Sequence, residues 1–86
     1  MTVKEKILKI MALAVSIEPT ETRYVTAEYS SYSDRVSIYV FAKDQSGILT
    51  EIDYNGRHDL PDNYNVLIDM LSALKNDMDA ERQGEA

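Results

Sequence analysis

The chain has 86 residues, 44% hydrophobic and 28% charged, with a net charge of −6. These values exclude a disordered chain and allow one domain with one modest core. Cysteine is absent, which removes disulfides, thiolate metal sites and cysteine nucleophiles.

Thr2-Val3-Lys4-Glu5 matches a capping box, in which the threonine and the glutamate satisfy each other's free backbone N–H groups. Val3, Ile7, Ile10, Ala14 and Ile17 then recur at helical spacing, and Leu8, Met11 and Val15 widen the stripe. This predicts a helix of roughly four turns packed on one face of a sheet. Its apolar part, Ile7 to Ile17, is broken by Lys9 and Ser16, lacks a small-residue cleavage pattern and is too short to span a bilayer. Glu18-Pro19 ends the helix, because proline lacks an amide donor and disfavours helix at the preceding residue.

From Thr22 to Tyr54 β-branched and aromatic residues cluster, and a period of two runs through three successive stretches. Val36, Ile38, Val40 and Ala42 form the core set of the middle run, and Ile48, Ile52 and Tyr54 that of the third. Asp44-Gln45-Ser46-Gly47 reads as a type I turn with a glycine bulge. That turn predicts Asp44 opposite Ile48, Val40 opposite Ile52 and Ile38 opposite Tyr54. A tight turn at Tyr32-Ser33 predicts Tyr29 opposite Val36 and Val25 opposite Val40. Tyr24, Tyr39 and Phe41 then gather on the other face, with Glu51 and Asp53 on the next strand. Paired aromatics there suit a self-association face, or the half-buried tyrosines of an ordinary sheet.

Asn55 to Pro61 is a loop by composition. From Asp62, Tyr64, Leu67, Ile68, Leu71, Leu74 and Met78 form a second helical stripe, flanked by Val66 and Met70. The expectation is therefore an α+β fold, a three-stranded antiparallel meander flanked by an N-terminal and a C-terminal helix. Residues 1–81 form its single domain, and residues 82–86 are expected to be a frayed polar tail.

Motifs for chemistry are scarce. Three glycines, at 47, 56 and 84, supply no phosphate-cradling loop. His58 beside Asp59, with Asp53 and Asp62 near in sequence, resembles an oriented base or a metal ligand, but Gly56 comes too early for a calcium loop. A solvated loop histidine is the plainer reading. Glu28, Glu51 and Asp53 lack the deep cleft that a carboxylate pair needs for glycosidic chemistry. No catalytic residue, metal or cofactor is expected.

Charge is unevenly spread. Residues 1–43 hold five acids against six bases, and residues 44–86 hold ten acids against three. Such a balance opposes direct nucleic-acid binding and favours a protein partner with a basic surface. The acids expected to carry that contact are Glu51, Asp53, Asp59, Asp62, Asp69, Asp77 and Asp79, which on a rigid scaffold imitate a phosphate backbone. In size, acidity and element order the chain resembles small phage-encoded inhibitors such as some anti-CRISPR proteins. That resemblance is architectural and carries over no functional residues. With the acidic surface it suggests an inhibitor or regulator, a DNA mimic docking on a nucleic-acid-handling protein, and the absence of cysteine and of an apolar span suggests a cytoplasmic one. The alternative is an assembly protein that self-associates through Tyr24, Tyr39 and Phe41 or through a sheet edge.

Overall fold

A computed structural model describes residues 2–44, 46–55 and 62–85, the side chains of 52–55 and 62 excepted. The chain is an α+β domain of order α-β-β-β-α: α1 (Val3–Ser16), β1 (Arg23–Ser30), β2 (Arg35–Ala42), β3 (Ile48–Asn55) and α2 (Asp62–Glu85). The strands form one antiparallel sheet in the order β1-β2-β3. Among the described residues, no helix is long and apolar enough to cross a membrane.

α1 starts on the expected capping box. The Thr2 hydroxyl accepts the Glu5 amide at 3.2 Å, and the Glu5 carboxylate accepts the Thr2 amide at 3.3 Å. The helix stops at Ser16, three residues before Pro19, with Ile17 extended and its amide donating to the Ala14 carbonyl. Thr20, 2% exposed, then folds the chain into the sheet. Its hydroxyl accepts the amides of Thr22 and Arg23, and its own amide donates to the Arg23 carbonyl. These bonds satisfy backbone groups that would otherwise be stranded at a buried corner.

Both helices cover the same side of the sheet. Ile7, Ile10, Ala14 and Ile17 of α1 and its exit meet Tyr64, Leu67, Ile68, Leu71 and Met78 of α2 over Val36 and Ile38 of β2. Among the described residues no helix lies on the opposite side of the sheet, so these elements make two layers. Along β2 the alternation separates the faces as its sequence period requires.

The first hairpin has the expected register, with Val25 opposite Val40 and Tyr29 opposite Val36. The second differs from expectation by two residues: Ile38 pairs with Ile52, Val36 with Tyr54 and Val40 with Thr50. The turn is wider than expected, because the Ala42 amide donates to the Gly47 carbonyl at 3.1 Å. Gly47 takes a φ of 113°, and the Asp44 carboxylate accepts the Ser46 amide. A bulge then follows between Val40 and Phe41, where Phe41 faces Ile48 while Val40 faces Thr50. Ile48, expected in the core, is consequently exposed, as is Leu49.

The C-terminal end of α2 is also a correction. Instead of fraying after residue 81, the helix runs to Glu85. Arg82 donates to the Glu18 carbonyl at 2.9 Å, and Glu85 accepts the Glu21 amide at 2.8 Å. Glu81 accepts from Thr22 and, at 2.9 Å, from the Arg23 guanidinium. These partners fix the last turns that composition alone marks as a tail.

The Thr22, Thr20 and Arg23 donors, in that order of weight, hold the Glu81 carboxyl below its ordinary value of 4.5. A carboxyl lowered by folding stabilises the native state above its unfolded pKa, and loses that contribution as pH falls through the folded value. Acid unfolding followed by circular dichroism is thus expected to begin at higher pH in wild type than in Glu81→Gln, measured from each protein's own neutral-pH stability. Parallel pH profiles for the two proteins would contradict this assignment.

Candidate functional site

The uncovered side of the sheet brings together residues from all three strands. Tyr24 lies opposite Phe41, Thr26 opposite Tyr39 and Glu28 opposite Ser37, and β3 adds Glu51 opposite Tyr39 and Asp53 opposite Ser37. The register places the described side chains among these on one face, since cross-strand partners point the same way.

At one end the face is aromatic. The rings of Tyr24 and Phe41 stack with centroids 5.3 Å apart and 18° between their planes. Tyr39 stands 5.9 Å from Phe41 at a tilt of 33°. Contacts of this kind contribute about 0.5–1.5 kcal/mol beyond area burial, so the cluster is held in shape before any partner arrives. The bulge adds Ile48, 51% exposed, beside Phe41. Tyr24 is 39% exposed, and Tyr39 and Phe41 are half-buried. Toward the other end the face turns polar, with a shallow hollow lined by Glu28, Ser30, Arg35, Ser37 and Tyr39. The exposed Glu28 is part of its lining, and the exposed Glu51 stands opposite Tyr39.

The seven acids expected to share one surface are divided. Glu51 lies on the sheet face, whereas Asp69 and Asp77 are exposed on α2, in the layer on the other side. Asp79 is engaged within the helix, accepting from Lys75 at 3.1 Å and from Arg82. Those two donors, Lys75 first, hold its carboxyl below the ordinary value of 3.8. Asp53 belongs to β3 and Asp62 opens α2, but their side chains lie outside the described residues, as do Asp59 and His58 entirely. Among the described residues no group of three or more His, Cys, Asp or Glu is placed to hold a metal ion.

The aromatic trio was legible from alternation, whereas Ile48 was not. Only the bulge turns Ile48 from the expected core set to the open face, and its one sequence signal is Gly47, the glycine that closes the turn. Tyr29 is also polar in use: its hydroxyl donates to Asp34 at 3.1 Å, and that bond is the main cause of its raised pKa.

Comparison with protein-family models, with curated proteins and with solved structures finds no match to this chain.

Proposed function

We propose that this chain is a non-catalytic protein-binding domain that docks through the open face of its sheet. The observation that carries the reading is the placement of both helices on one side, which leaves Tyr24, Tyr39, Phe41 and Ile48 uncovered. A rigid aromatic patch beside carboxylates is well suited to bind protein, because aromatic anchors supply contact area at small entropic cost. Its fitting partner presents an apolar spot flanked by basic side chains, as the nucleic-acid-binding surface of a protein does. By occupying such a surface the chain acts as an inhibitor or regulator.

Charge steers the encounter and the aromatic patch holds the complex. The acids of α2 lie on the far side and contribute only to the long-range field. Immobilised protein used to capture partners from a lysate separates these roles. Phe41→Asp is expected to abolish capture of the specific partner, while Asp69→Lys with Asp77→Lys leaves it within about threefold at physiological salt. Undiminished capture by Phe41→Asp, with loss in the α2 variant, would replace this face by the acidic helix surface. A change in the particle's own mass in Phe41→Asp would instead identify the face as a contact between copies.

A further inference from the structure

The first helix carries a second, flanking stripe that the fold covers only in part, at Met11. Its core stripe is Val3, Ile7, Ile10, Ala14 and Ile17. On the neighbouring flank, Lys4, Leu8, Met11 and Val15 repeat the same alternation of four- and three-residue steps. Leu8 is 69% exposed and Val15 81% exposed, with Met11 half-buried between them. The flank looks away from α2: Lys4, Leu8 and Met11 line a hollow shared with Tyr29 of β1 and with no residue of α2. Steps of three and four are the spacing of a seam between two helices.

The charges of α1 indicate what would fill that seam. Lys4, Lys6 and Lys9 all stand in its first half, near the positive end of the helix dipole. Its last turn has no basic residue, and Glu18 and Glu21 follow it. In an isolated helix this order opposes the dipole at both ends. A second copy of the same helix lying antiparallel corrects it, since the lysines of each then meet the carbonyl end and the acids of the other.

We propose that the chain forms a homodimer in which the outer stripe of α1 packs antiparallel on that of a second copy. Leu8 lies opposite Val15 across the two-fold axis, Met11 packs near the axis, and Lys4 faces Glu18 of the second copy. Symmetry makes each contact twice. The open sheet face takes no part, so the dimer does not depend on the function proposed above and offers two such faces.

Light scattering after size exclusion, from micromolar to millimolar protein, is the test. Wild type is expected to approach twice the monomer mass as concentration rises. The Leu8→Lys/Val15→Lys double variant is expected to stay monomeric with an unchanged circular dichroism spectrum, because both side chains are exposed. Lys4→Glu and Glu18→Lys are each expected to weaken the dimer about tenfold, and their combination to restore it. Glutamate at position 4 suits the helix start, so loss of fold does not explain weakening there. A wild type that remains monomeric at millimolar concentration overturns the proposal, as does a dimer unaffected by Leu8→Lys/Val15→Lys. Failure of the charge swap to restore association overturns the antiparallel arrangement. None of these outcomes alters the capture result expected for Phe41→Asp.

Discussion

Ile38→Ala is expected to lower the free energy of unfolding by about 2–5 kcal/mol, read from urea denaturation. Ile38 is 1% exposed at the centre of β2, between Ala27 and Ile52 in the register and beneath the helix layer. Truncation removes its transfer free energy and leaves a cavity that a central strand, paired on both sides, cannot collapse to fill. A domain of this size has about 5–15 kcal/mol in total, so the loss is a large share of it. Ile48→Ala is the control: its side chain is 51% exposed, and the change is expected to stay within about 0.5 kcal/mol. Similar losses at the two positions would mean that the bulge does not turn Ile48 outward.

Tyr64 separates packing from hydrogen bonding at a second place. It is 1% exposed near the start of α2, and its hydroxyl donates to the Asp34 carbonyl at 2.8 Å. Asp34 ends the β1–β2 turn with a φ of 52°, in the left-handed region that side chains seldom adopt. The helix thus holds a strained turn from above, while the Tyr29 hydroxyl holds the Asp34 carboxylate. Tyr64→Ala is expected to cost about 3–5 kcal/mol, as for other buried aromatics. Tyr64→Phe keeps the ring and is expected to cost about 1 kcal/mol, with faster hydrogen exchange at residues 31–34. Equal losses would put the energy in the hydrogen bond instead of the ring.

Much of this architecture is legible in the residues, and the exceptions share a physical cause. Alternation decides which face a strand residue takes, but a shift of two residues leaves every face unchanged. The β2–β3 register was therefore open to the translation found, while the parity of Val36, Ile38 and Val40 was not. The β1–β2 register was readable because the short turn at Tyr32-Ser33 leaves little slack. Periodicity in α1 likewise shows how wide an apolar stripe is, not how much of it the fold covers, so Leu8 and Val15 read as core. Nor does either stripe show which side of the sheet a helix takes. The acids illustrate the same limit for the candidate site: clustering along the chain does not place Glu51 and Asp69 on one surface. Glu81, Arg82 and Glu85 looked like a solvated tail because their partners stand 58 to 64 positions earlier.

That last clasp bears on how the chain acquires its fold during synthesis. α1 and the meander are made first and the strands can pair locally, but the layer that roofs Val36, Ile38 and Val40 is completed only by α2. The bonds from residues 81–85 back to residues 18–23 span 58 to 64 positions, and loops of that span are slow to close. A nascent chain that ends before α2 consequently has only α1 to cover the inner side of its sheet. The part of that side left for α2 is an aliphatic surface inviting aggregation or a chaperone until the final helix arrives.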